Sequence, residues 1–184
     1  ADHLLANSDV TEMSQMISAL IQNGYFAEDV TEIYREIGQI AFESLGLENK
    51  LIEEGDYDEI HLLLGKNLIE NFNSGSKDTI GLAQSYLMKA SKLLEQKGAK
   101  LKIPFSDKSL VGAFYSNLVS NVNKAGIRRR FAGIADVLCP ARGMITTFNI
   151  GLGAMMWSDF VQHCREQGLT QHPTVYIRNR GELG

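Results

Sequence analysis

This 184-residue chain predicts a mainly α fold, an irregular bundle of about five amphipathic helices followed by a small α+β element. Three observations predict it. Apolar residues recur at helical spacing in five successive stretches. Glycine or an Asn-rich break follows each of them. After Gly126 the pattern changes, with glycines at 126, 133, 143, 151 and 153 and a run of β-branched and aromatic residues.

The first helix is expected after Asp9-x-x-Glu12, a capping-box-like start. Val10, Met13, Met16, Ile17, Leu20 and Ile21 form its stripe, and Asn23-Gly24 stops it. The second runs from about Glu28 to Leu45, with Val30, Ile33, Ile37, Ile40, Ala41 and Leu45 on one side and acidic Glu28 and Asp29 in the first turn, where the helix dipole favours them. The third begins near Asp56–Asp58 and buries Ile60, Leu63, Leu64, Leu68, Ile69 and Phe72. Asn73-Ser74-Gly75-Ser76 is the clearest loop. The fourth follows a Ser76-x-x-Thr79 start and closes at Gly98, on a stripe of Ile80, Ala83, Leu87, Ala90, Leu93 and Leu94. The loop from Lys102 to Asp107 leads into the fifth, with Leu110, Val111, Phe114, Leu118, Val119 and Val122 inward and Gly126 as its stop. Beyond that, 143–150 and, with weaker patterning, 174–178 read as strands, separated by a short helix from Ser158 to Gln167.

Charge is segregated along the chain. Residues 1–72 hold 15 Asp/Glu and three Lys/Arg, a formal charge of −12, whereas residues 97–142 hold nine Lys/Arg and two Asp, a formal charge of +7. The expected organisation is an acidic helical region over 1–100 and a basic helix plus small α+β region over 101–184, the latter an incomplete domain of a longer chain. The chain opens on Ala1-Asp2-His3 and stops at Gly184 without a closing element, so a longer parent polypeptide is expected. The first residues do not read as a signal peptide, and no apolar run approaches the roughly 20 residues a membrane span requires. Cys139 and Cys164 have no CxxC neighbour and read as reduced thiols of a reducing compartment.

The best candidate site is basic: Arg128-Arg129-Arg130, with Lys124 upstream and Arg142 downstream. Guanidinium groups stay charged and bind phosphates or carboxylates bidentately. Phe131 beside them offers a ring for stacking. The opposing reading is a basic surface that meets the acidic helices or a neighbouring chain, and an isoelectric point near 5.6 counts against an independent nucleic-acid domain. Were the three arginines on a strand, they would alternate faces. Val137 to Gly143 reads as a tight turn that either packs or positions Arg142.

Other constellations fail on spacing. Counting from Asp56, an EF-hand loop wants Gly where His61 stands and Glu where Asn67 stands. Gly75-Ser76-Lys77 lacks the earlier Gly, the Gly-Lys pair and the strand of a phosphate loop. His3, His61, His163 and His172 have no zinc spacing with the cysteines. No elbow or activated nucleophile is present. No catalytic residue, metal or cofactor is therefore implied, and the segment reads as non-enzymatic.

Two stretches carry a resemblance. Residues 8–21 are one. Pro104-Phe105-Ser106-Asp107, Lys124 to Gly133 and Val137-Leu138-Cys139-Pro140 make up the other. Together they resemble segments of the very large virion-associated proteins of crAss-like and related tailed bacteriophages. Proteins of that group are associated with cargo carried in the particle and with a packaged RNA polymerase. The resemblance implies a protein stored in the virion and ejected with the genome into the host cytoplasm. It covers about a third of the chain and brings no catalytic signature. The function expected is a non-catalytic interaction segment whose charge-complementary surfaces dock on the rest of the same polypeptide, on other virion proteins or on DNA. The alternative is a nucleic-acid-binding accessory region of a phage RNA-polymerase-like protein.

Overall fold

Helices dominate the computed structural model, which describes residues 10–50, 52–74, 76–138 and 162, with backbone alone at 49, 50 and 135–138. Six α-helices run through the described residues: α1 (Val10–Gln22), α2 (Val30–Ser44), α3 (Tyr57–Phe72), α4 (Thr79–Gln96), α5 (Lys108–Ala125) and α6 (Ile127–Leu138). Strands β1 (Leu47–Lys50) and β2 (Ala99–Leu101) pair antiparallel, with Leu47 opposite Leu101, Lys50 opposite Ala99 and a register irregularity between Leu47 and Asn49. The chain divides into two compact units. The first comprises 1–30, 73–75 and 126–184, and the second comprises 31–72 and 76–125.

In the first unit, α1 packs on α6. Five consecutive residues of α1, Met13 to Ile17, are buried, so this helix is covered on every face. Its end is a Schellman motif. Gly24 adopts φ 87°, Tyr25 N–H donates to the Leu20 carbonyl at 3.0 Å and Gly24 N–H to Ile21 at 3.0 Å. Phe26 follows with φ 63°, a conformation that costs a bulky residue energy. Two contacts offset that cost: the Phe26 ring meets Phe131 of α6 edge to face at 5.1 Å, and the Phe26 carbonyl accepts from Asp29 N–H at 2.9 Å.

In the second unit, α3 packs on α4 and α4 on α5, and β2 lies against α4. Helices α2 and α3 cross at Gly38 and Gly65, so closely that a Cβ on either glycine would overlap a backbone carbonyl of the other helix, His61 or Tyr34. The buried Tyr86 hydroxyl donates to the Leu64 carbonyl at 2.9 Å, and burial pushes its phenol far above the ordinary value. Asn71 is a polar hub. Its amide donates to the Leu82 carbonyl at 2.7 Å, while its oxygen accepts from Ser85 at 3.1 Å and Lys89 at 3.0 Å. Asp78 caps α4 through Gly81 N–H, and Asp107 caps α5 through Ser109 and Leu110 N–H. Lys97 Nζ bonds Glu59 at 3.0 Å and Asp56 at 3.4 Å, fastening the end of α4 to the start of α3, and the hydrogen bond to Glu59 is the leading reason its pKa is raised.

The mainly α class holds, and the first five helices fall where the apolar periods place them. Two differences stand out. Helix α6 occupies 127–138, where irregular structure was expected. Gly126, at φ 69°, ends α5, and its carbonyl then accepts Arg130 N–H at 3.0 Å to start a new helix. Ile127, Phe131 and Ile134, all buried, make its stripe. The small sheet joins segments some fifty residues apart, because Gly46 leads out of α2 and Gly98, at φ 84°, out of α4. The strands expected at 143–150 and 174–178, and the helix at 158–167 apart from Gln162, lie outside the described residues. So does the Asp9 cap.

Candidate functional site

Helix α6 brings Arg128, Arg129 and Arg130 onto one element, but on different faces. Successive residues of an α-helix are about 100° apart, so three in a row fan over about 200°. Arg128 turns inward. Its guanidinium meets the Glu12 carboxylate of α1 at 2.9 Å, with 11% of its side chain exposed against 24% for Glu12. Arg129 is exposed. Arg130 is half-buried, its guanidinium carbon 5.4 Å from the centre of the Phe131 ring, a cation–π arrangement. Lys124 is exposed near the end of α5, in the second unit. Arg142 lies outside the described residues.

Glu12 is the residue that sequence reasoning assigned a different task. As the third helical residue after Asp9 it suits a capping box, yet its carboxylate holds an arginine more than a hundred residues away. The signal available was the opposite charge of the two regions, which named no pair.

A second cluster was not anticipated. Phe42 of α2 meets Tyr57 and His61 of α3, edge to face, at 5.8 and 5.3 Å, and Tyr57 lies 6.1 Å from His61. All three rings remain partly exposed. Burial pushes the His61 imidazole below its ordinary 6.5. Arg35 adds to that lowering, while Asp58 and Glu43 oppose it. Arg35 pairs with Glu32 on its own helix and approaches Asp58, whose side chain is 80% exposed, at 3.6 Å. The Tyr57/His61 spacing of four residues was legible as one helical face. That Phe42 would lie against it was not.

Among the described residues no group of three or more His, Cys, Asp or Glu side chains is placed to hold a metal ion, and no helix is long and apolar enough to cross a membrane. The exposed large hydrophobic residues there are Met88 and Leu110, at 49% and 44%. No protein-family model, curated protein or solved structure matches the chain.

Proposed function

We propose that this chain is a non-catalytic interaction segment of a large phage virion protein, a helical piece of cargo carried in the particle, which docks through charge-complementary surfaces. The observation that carries the interaction role is the Glu12–Arg128 pair. An arginine this enclosed and already matched to a carboxylate is not offered to a phosphate, since diverting it would break a largely enclosed charge pair. Glu12 of α1 and Arg128 of α6 use their opposite charges on each other. The polar groups of the second unit are likewise engaged in holding helices together: Asn71 with Leu82, Ser85 and Lys89, Tyr86 with Leu64, and Asn121 with Ser44 at 2.9 Å. The virion setting is supported by the resemblance of residues 8–21 and of the Pro104–Pro140 region to giant tailed-phage proteins.

Two measurements test this. Peptides of the chain are expected in density-purified particles at a fixed copy number, and their absence overturns the virion setting. Binding to duplex DNA is expected to be weak, with an unchanged salt slope in the Arg128→Ala and Arg129→Ala variants. A slope reduced by about one per arginine removed would instead favour a nucleic-acid-binding region.

A further inference from the structure

The face of α2 and α3 around Phe42, Tyr57 and His61, on the second unit, carries three partly exposed rings with the exposed carboxylates of Glu43 and Asp58 next to them in sequence. We propose that it is a docking surface for a basic segment of a partner protein, one that lays a lysine or arginine side chain over Phe42, Tyr57 and His61 and sets its charge against Glu43 and Asp58. The inference deepens the interaction reading and rests on it.

Two observations lead there. Phe42 braces His61 and Tyr57 edge to face at 5.3 and 5.8 Å, and Tyr57 lies tilted 6.1 Å from His61, so the rings form a preorganised floor rather than loose side chains. The crossing of α2 and α3 at Gly38 and Gly65 locks the two helices that carry them, with the His61 carbonyl itself against Gly38. A floor on so fixed a crossing loses little freedom when a ligand arrives. Aromatic side chains at the centre of a surface with charged residues around them have the composition of protein-interaction anchors.

The sign of the charge selects the partner. Glu43 directly follows Phe42 on α2 and Asp58 directly follows Tyr57 on α3, and both are exposed, so each helix that carries the rings also carries a carboxylate next to one of them. Among the described residues Glu43 has Gln39, not a cation, as its hydrogen-bond partner, at 3.4 Å. Asp58 is mostly exposed, and Arg35, which it shares with Glu32, offsets one negative charge only. Below Asp58, the carboxylates of Asp56 and Glu59 are engaged by Lys97 and contribute little. Ring faces carry negative potential, so rings and carboxylates attract the same cation. An ammonium or guanidinium on an alkyl stem satisfies both, the stem on the floor and the head at the rim. An anionic partner would meet like charge.

The test uses the full chain and a fluorescent peptide of alternating Lys/Arg and Ser, with a Glu/Ser peptide as control. The basic peptide is expected to bind and to weaken as salt rises to roughly 0.3 M, as exposed charges are screened. Glu43→Gln/Asp58→Asn, a surface change that leaves the rings alone, is expected to weaken binding about fivefold. Tyr57→Leu is expected to weaken it roughly threefold, as for a lost exposed cation–π contact. Glu28→Gln/Glu95→Gln removes equal charge elsewhere and is expected to stay within about twofold. Circular dichroism confirms that each variant is folded. Equal loss from both double variants would mean attraction to the acidic chain as a whole and would overturn the site. So would equal binding of the acidic peptide, or no binding at all. None of these results bears on whether the chain is found in particles.

Discussion

In the first unit, α6 is held through large side chains: Arg128 on Glu12 of α1, and Phe131 edge to face on Phe26 of the turn that follows α1. In the second, α2 and α3 cross where side chains are absent, Gly38 and Gly65 letting backbone touch backbone, and the Phe42, Tyr57 and His61 rings add a side-chain contact between the same helices. The difference is one of tolerance. A side-chain contact can rearrange when one partner is trimmed, because rotamers and water fill in. A glycine crossing has no slack, because the obstacle to any added atom is a carbonyl held in a helix. The first kind of contact therefore degrades gradually, and the second fails when a single methyl group is added.

Gly65→Ala sharpens that contrast most. Its Cβ would overlap the Tyr34 carbonyl, so α2 and α3 must separate. A loss of about 3 kcal/mol in urea unfolding is expected, as for severe overpacking. Amide exchange should accelerate across α2 and α3 while α1 keeps its protection, since local opening follows the cooperative unit that is damaged. A variant as stable as the parent would show that the crossing is not tight.

Arg128→Met is expected to cost less, about 2 kcal/mol. Leaving Glu12 without its cation is expensive in a fully buried site, but a quarter-exposed carboxylate can recover part of its hydration. The double variant Glu12→Gln/Arg128→Met should regain part of the loss, because both charges of the enclosed pair are then removed together. Protection should fall in α1 and α6 and leave α3 unchanged. If Arg128→Met costs nothing, the pair is decorative and the interaction reading loses its main support.

How far the amino-acid order revealed these two contacts differs as well. The helices were legible because apolar residues at three- and four-residue spacing can be buried together only on a helix, as with Ile33, Ile37 and Ala41. Their ends were legible at Gly24, Gly98 and Gly126, which take the left-handed conformation that stops a helix. Helix α6 was hidden because three consecutive arginines obscure a stripe of only Ile127, Phe131 and Ile134. Neither Gly38 nor Gly65 could be read as a crossing, since glycine inside a helix signals only lost stability until its neighbour is known. The same limit applied to the sites. Segregated charge foretold that acid would meet base, yet Glu12 was one of 15 acidic residues in its region, and Phe42 had no sequence-local link to Tyr57 and His61. Pairing across long separations is set by packing, which periodicity does not encode.

The smallest effect expected is the pH response of the α2–α3 contact. Burial holds His61 below its ordinary 6.5, so the folded second unit prefers the neutral ring. A histidine lowered on folding contributes stability that is complete above the unfolded value. That contribution is lost as pH falls from about 6.5 toward the folded pKa, because the unfolded chain takes up a proton before the folded one does. Asp58 and Glu43 oppose the shift, and the ring is partly exposed, so solvent screens the effect and it ranks below the two substitutions above. It should appear as a difference: between pH 7 and pH 5, stability falls more steeply in the parent than in His61→Gln. The opposite sign, with acid stabilising the parent relative to the variant, would mean that the two carboxylates outweigh burial. A protonated ring would then place a cation among the three rings, and a basic peptide should bind less tightly in acid than the carboxylates alone would allow.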